Sequence, residues 1–264
     1  MTERSIAEAA SSWVDVPHRL RAGAVLPEPW EKLFGPLRPT VPAGTVAVGE
    51  IGQTLDGRVA TLTGHSHYIN GPAGLDHLHR LRAVVDAVVV GAGTVRADDP
   101  QLTVRRVAGP NPARVVLDPR GTLSGSARVF AADGTRRIVI ALDGTSSRQS
   151  GDIETIALAG STAHLDPAAI LDALSQRGLR RVLIEGGART VSRFLSAGCL
   201  DRLHIVVAPV ILGSGLPGLD LPPVARMTDA LRVPVHAHLL GDEVLFDCDL
   251  SARRASPGTA NRSR

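Results

Sequence analysis

DAVVVGAGTV, residues 86–95, carries the decisive pattern: a strand-like run over 86–91 that is apolar without alternation once past Asp86, closed by two glycines and a threonine. A strand that is apolar at successive positions has both faces covered, as in parallel sheets flanked by helices. Similar runs at 45–51, 114–117, 137–142, 154–158, 181–184 and 203–212 extend the reading along the chain. Between them, Leu75, Leu78, Leu81 and Val85, then Ile170, Leu171 and Leu174, then Val191, Phe194 and Leu195 recur at helical spacing. Strands alternating with helices predict an α/β fold with a mostly parallel central sheet and helices on both faces. The second helix is the best punctuated: Asp166 suits the cap, Pro167 the first turn and Gly178 the far end. Two short runs, 229–239 and 242–250, joined through Gly241, predict a C-terminal antiparallel hairpin.

The ends differ from this body. Residues 1–44 contain Pro27, Pro29, Pro36, Pro39 and Pro42 without sustained periodicity, and read as a surface-wrapping or partly flexible extension. Residues 45–250 form the main domain, and Ser251–Arg264 has the small, polar, arginine-rich composition of a flexible basic tail.

Composition narrows the function classes. With 264 residues and 44% hydrophobic content, the chain can bury one large core. Its charge of +3 comes almost wholly from dispersed arginines, Lys32 being the single lysine, and aromatics are only 3%, so nucleic-acid binding is not expected. Cys199 and Cys248 lack a partnered CxxC, which fits a reducing, cytoplasmic setting. Neither a signal-peptide pattern near the N-terminus nor a run of about 18 apolar residues is present, so no membrane role is expected.

Two turns carry the chemistry. Glu185-Gly186-Gly187 follows the strand 181–184 and precedes a helix starting near Ala188, a setting in which backbone N–H groups meet a phosphate. A tight turn needing glycine for geometry alone explains that motif equally well. Gly91-Ala92-Gly93-Thr94-Val95 reads as a second glycine-bearing loop, with Asp98-Asp99-Pro100 close behind, and both loops fall on one edge of a parallel sheet. Gly213 to Gly218 satisfies GxGxxG, but prolines 222 and 223 follow instead of a helix, so it reads as a crossing loop. Thr54 to Arg58 reads as an ordinary polar turn. The pairs His65/His67, His77/His79 and His236/His238 lack the further ligands of a catalytic metal site, and no metal is expected. No serine-hydrolase elbow, P-loop or zinc-deaminase signature occurs.

In order, TLDGRVA (54–60), GHSHYIN (64–70), the run from Leu78 to Arg105, RVVLD (114–118) and VLIEGG (182–187) resemble the reductase domain of the bifunctional riboflavin-biosynthesis deaminase/reductase. The resemblance implies a dihydrofolate-reductase-like fold, a homodimer and transfer of hydride from NADPH to the ribose C1′ of a pyrimidine ribosylamino phosphate, opening the sugar. It implies substrate contacts at Ser66, Arg82, Leu102, Arg105 and Glu185, and NADPH contacts at Gly52, Tyr68, Gly91, Gly93, Thr94, Asp98, Gly186, Gly187 and Ala188. Asp98 and Glu185 are the candidate catalytic carboxylates, without an assigned general acid. Tyr68 stands where the family often has tryptophan, and Pro119 replaces a small polar residue; the neighbouring Arg120 reads equally well as a partner for a 2′-phosphate and as a solvated surface arginine. Competing readings are a reductase of the same fold with another pterin or pyrimidine substrate, a non-catalytic nucleotide binder, and a histidine-based metal hydrolase.

Overall fold

The computed structural model describes residues 12–39, 44–66, 69–145, 151–160 and 165–254. A nine-stranded sheet organises them. Its members are β1 (Val46–Thr54), β3 (Ala87–Gly91), β4 (Ala113–Leu117), β5 (Arg137–Leu142), β6 (Glu154–Leu158), β7 (Arg181–Ile184), β8 (Arg202–Ala208), β10 (Val235–Leu240) and β11 (Glu243–Asp249). They lie in the order β10-β11-β8-β1-β7-β3-β4-β5-β6. From β8 to β6 all pairings are parallel, and β11 and β10 add an antiparallel edge. The run 203–212 leaves the sheet after Ala208, because Pro209 has no N–H to continue the ladder. Gly241, at φ +64°, supplies the left-handed residue that the two-residue hairpin turn needs.

Two short strands, β2 (Arg58–Thr61) and β9 (Gly215–Pro217), pair antiparallel outside the main sheet. The GxGxxG segment is therefore partly strand, where a loop was expected. Four and three residues are too few to declare themselves by alternation.

Alternate side chains on each central strand enter two separate core layers. Val48, Val88, Val90, Val116 and Leu183 pack beneath α3 (Pro72–Val84) and the N-terminal helices α1 (Val16–Arg21) and α2 (Trp30–Phe34). Ala47, Val89, Ile140, Val182 and Ile184 pack against α5 (Pro167–Ser175) and α6 (Ala188–Ser196). The Asp166 carboxylate accepts from the Ala168 N–H at 3.0 Å, capping α5 at the expected place.

Residues 12–39, expected as a surface wrap, place Trp13, Val16, Leu20, Leu26, Trp30, Leu33, Phe34 and Leu37 in the first core layer. Trp30 and Phe34 stack at 5.9 Å, Trp13 meets Trp30 edge-on at 5.2 Å, and the Arg80 guanidinium lies 5.1 Å from the Trp30 ring centre. At the other end, Ser251–Arg253 forms one helical turn and Arg254 pairs with Asp201 at 3.1 Å, while residues 255–264 lie outside the described residues.

Candidate active site

A groove of about 550 Å³ opens at the carboxyl ends of β3, β4 and β7, where open parallel sheets bind ligands. Gly91, Gly93, Thr94 and Asp98 form one wall, Gly187 and Ala188 the facing one, with Pro119, Arg120 and Ser66 at its margins. The first wall is not a loop. Ala92–Asp98 forms a short helix, α4, which begins directly from β3 despite its glycine. Thr94 joins the walls: its hydroxyl oxygen accepts from the Gly187 N–H at 3.1 Å. Gly186 has φ +95°, and a Cβ there would fall 2.9 Å from the Thr94 side chain. This glycine is fixed by conformation and by close approach together.

α6 begins at Gly187 without a side-chain cap, leaving its first N–H groups to face an anion. Arg96, Arg120, Arg189 and Arg193 line the same groove. Sequence reasoning selected only Arg120 of these; the i, i+4 spacing of Arg189 and Arg193 directly after the glycine pair was the available signal. Burial and the neighbouring Arg189 both oppose the positive charge of Arg193, so an anion in the groove would be welcomed. Asp118 directly follows β4 but is consumed by its own loop, accepting from the Leu123 N–H at 2.8 Å and the Thr122 hydroxyl at 3.0 Å.

Glu185 turns to the α3 side of the sheet, where it forms a buried bidentate pair with Arg82: Arg82 Nε donates to Oε2 at 2.8 Å and Nη2 to Oε1. Arg82 Nη1 also donates to the Thr103 carbonyl at 3.1 Å. Neither side chain is therefore a free arm. Each holds the other, and together they fix the 102–105 segment. Leu102 is buried with φ +56°, a left-handed conformation costing a non-glycine residue roughly 1–2 kcal/mol. Asp99, at φ +38°, ends α4 and accepts from the Arg128 N–H at 2.8 Å.

Arg105 is exposed, and its backbone N–H donates to His79 Nδ1 at 3.1 Å. Burial, with Arg82, Arg105 and Arg106 nearby, pushes the His79 imidazole down to about 3, so it stays a neutral acceptor. Arg106 turns away, pairing with Asp76 at 2.6 Å. Burial, Arg82 and Arg128 all weigh against the charge of Arg105, marking an electropositive pocket next to Glu185.

Gly52 does not reach the groove wall; a Cβ there would lie 1.8 Å from Asn70 Oδ1. Asn70 Nδ2 in turn donates to Glu243 Oε1 at 2.8 Å, and Glu243 accepts from the Gly71 and Gly74 N–H groups at the start of α3. Ser66 lies on the groove and is not joined to the Arg82–Glu185 pair. Tyr68 is outside the described residues. Among the described residues, no group of three or more His, Cys, Asp or Glu side chains could hold a metal ion. His77 is instead buried, its Nε2 3.0 Å from His204 Nδ1.

An open, mostly parallel α/β sheet with an arginine-lined groove at the carboxyl ends of its strands, beside a second arginine-rich pocket, has the form of an enzyme site for phosphorylated ligands. Residues 48–246 match the RibD C-terminal domain family. The chain is 33% identical over 202 residues to the 2,5-diamino-6-ribosylamino-4(3H)-pyrimidinone 5′-phosphate reductase of Methanothermobacter thermautotrophicus, covering 74% of this chain and 93% of that one. The crystal structure of a diaminohydroxyphosphoribosylaminopyrimidine deaminase/5-amino-6-(5-phosphoribosylamino)uracil reductase from Thermotoga maritima superposes with a TM-score of 0.67 at 31% identity, over 78% of this chain and 56% of that one. The chain thus spans little more than half of that bifunctional protein. The riboflavin biosynthesis reductase of Saccharomyces cerevisiae shares the fold, with a TM-score of 0.67 at 20% identity, over 89% of this chain and 99% of that one. The chain belongs to the RibD C-terminal domain family, and is an oxidoreductase of the riboflavin-pathway reductase class.

Proposed function

We propose that the chain uses NADPH to reduce a pyrimidine ribosylamino 5′-phosphate at the sugar C1′. The observation that carries this reading is the Glu185-Gly186-Gly187 turn: its carboxylate faces the arginine pocket while its second glycine faces the groove, so one turn joins two ligand sites. The Arg-lined groove and the α6 N-terminus would hold the phosphates of the cofactor. NADPH supplies the hydride when bound. The protein's part is to orient the acceptor carbon and exclude water. Arg105, with Arg82 and Arg128 behind it, suits the 5′-phosphate, and the Arg82-held Glu185 carboxylate suits amino groups on the pyrimidine.

NADPH over NADH is favoured because Asp118 is occupied within its own loop while Arg96, Arg120 and Arg193 remain along the groove. Oxidation of NADPH, followed by absorbance with the diamino-pyrimidinone and the amino-uracil substrates in parallel, tests the reading. No oxidation with either would refute it. The reading includes a homodimer, for which exposed Leu239, Phe246 and Val235 on the edge hairpin offer apolar surface, and a cytoplasmic setting that suits two free cysteines.

Two variant sets follow from the pockets. Arg105→Ala is expected to weaken acceptor binding by about 2 kcal/mol, seen as a KM rise of roughly 30-fold, with NADPH affinity unchanged. Arg106→Ala, whose guanidinium is held by Asp76, should leave KM within about 2-fold; equal effects from both would displace the phosphate from Arg105. On the cofactor side, Gly186→Val meets positive φ and Thr94 together, and should cost about 1–3 kcal/mol of stability as well as NADPH affinity. A Cβ on Gly93 meets nothing within 4 Å. Gly93→Ala should therefore keep the melting temperature and lower NADPH affinity alone, as read by cofactor fluorescence.

A further inference from the structure

Glu50 is the middle residue of β1, one step beyond the Gly49–Ile184 pairing with β7, beside His204 of β8 in the parallel register and on the same sheet face as Val48. That face carries α3 and the Arg82–Glu185 pair, and Glu50 follows Gly49 as Glu185 follows its ladder partner Ile184, so the two carboxyl groups stand on neighbouring strands; the charges of Arg82 and Glu243 also act on Glu50. Three carboxyl groups therefore meet there. Glu185 takes two of the Arg82 donors, and Glu243 takes Asn70 Nδ2 and the N–H groups of Gly71 and Gly74. Nothing comparable is left for Glu50: it is 7% exposed, and among the described residues no hydrogen bond or ion pair reaches its carboxyl. An unpaired carboxylate in such a place is costly, and the group keeps its proton instead.

We propose that Glu50 is the proton donor of the reduction, its carboxyl group standing beside Glu185 on the α3 side of the sheet. The proposal rests on the reductase reading above. As the ribosyl C1′ takes up hydride from the reduced nicotinamide, its bond to the ring oxygen breaks and the electron pair stays on that oxygen. The Glu50 proton moves to this oxygen, forming the free hydroxyl of the opened chain, while the bond from C1′ to the pyrimidine nitrogen is retained. Glu50 is left as a carboxylate and regains its proton from water after product leaves. Burial chiefly, together with the Glu185 and Glu243 charges and against the pull of Arg82, pushes the Glu50 carboxyl up to about 8, a value suited to an acid working near neutral pH.

Glu50→Gln keeps the shape and removes the acid. In steady-state kinetics with NADPH and the pyrimidine ribosylamino phosphate, it should lower kcat by about 100-fold or more while the NADPH dissociation constant stays within about 2-fold. The wild-type kcat should fall as pH rises through about 8, and this alkaline limb should vanish in Glu50→Gln. A second readout needs no turnover. Because the folded state holds the proton more tightly than the unfolded one, wild-type stability should decline from about pH 4.5 to about pH 8, relative to Glu50→Gln. The side-chain carboxyl carbon of wild-type Glu50, followed by carbon-13 NMR, should titrate in the same upper range whether or not the variant folds. A carboxyl that titrates near 4.5 overturns the proposal, as does an active wild type whose Glu50→Gln variant keeps its rate and its alkaline limb. A wild type that oxidises no NADPH with either pyrimidine substrate removes the reductase reading, and the acid role with it.

Discussion

Arg82→Ala is expected to lower the unfolding free energy by about 3–5 kcal/mol, because it strands the Glu185 carboxylate in a buried position and frees the Thr103 carbonyl. Urea denaturation at neutral pH would show the loss as a lower midpoint with an unchanged slope. The cause can be isolated with Arg82→Leu combined with Glu185→Leu: removing both charges from a buried pair is often close to neutral for stability. The double variant should therefore be more stable than Arg82→Ala, and inactive. A loss below about 1 kcal/mol for Arg82→Ala would mean that the pair behaves as a solvated surface contact.

The second large effect lies far from the groove. Trp30 is fully buried, stacks on Phe34, packs against Trp13 and accepts the Arg80 guanidinium over its ring. Trp30→Ala should cost about 3–5 kcal/mol, combining lost transfer energy with the cavity left behind. It should shift one cooperative thermal transition for the whole chain. A separate early transition, with the main one unmoved, would show that residues 12–39 detach independently of the sheet.

The extent to which the fold could be read in advance follows from how each element is buried. Arg137–Leu142 and Arg181–Ile184 coincide with the sequence expectation because most of each strand is apolar and enclosed, whereas the edge strand Glu154–Leu158, with only Ile156 buried, was legible from its apolar residues alone. α1 and α2 did not show, since six and five residues among prolines carry too little periodicity, although Val16 and Leu20 of the first and Trp30 and Phe34 of the second lie in the core. α4 was hidden by Gly93, whose low helix propensity is overridden by the buried anchors Ala92 and Val95. At the site, the two glycine turns were visible as sequence, but the hydroxyl that joins Thr94 to Gly187 was not. The same is true of the pairing of Arg82 with Glu185, residues 103 positions apart. Glu50 was hidden within an otherwise apolar strand, because a single charge there gives no indication of which donors its neighbours have already taken.

The placement of β1 between β7 and β8 has a bearing on how this chain is made. Val46 finds its ladder partner at Arg181 of β7, and Val48 its partner on the other side at Arg202 of β8. A ribosome delivers β1 long before either neighbour exists, so the nascent chain must carry both edges of this interior strand unpaired until β7 emerges, and one of them until β8 follows. Such long-range closure slows folding and exposes apolar edges during synthesis. The Arg82–Glu185 clasp spans the same interval from α3 to β7. The Arg82–Glu185 pair is therefore assembled by the same late event that completes the sheet, and a stalled or shortened chain would have neither.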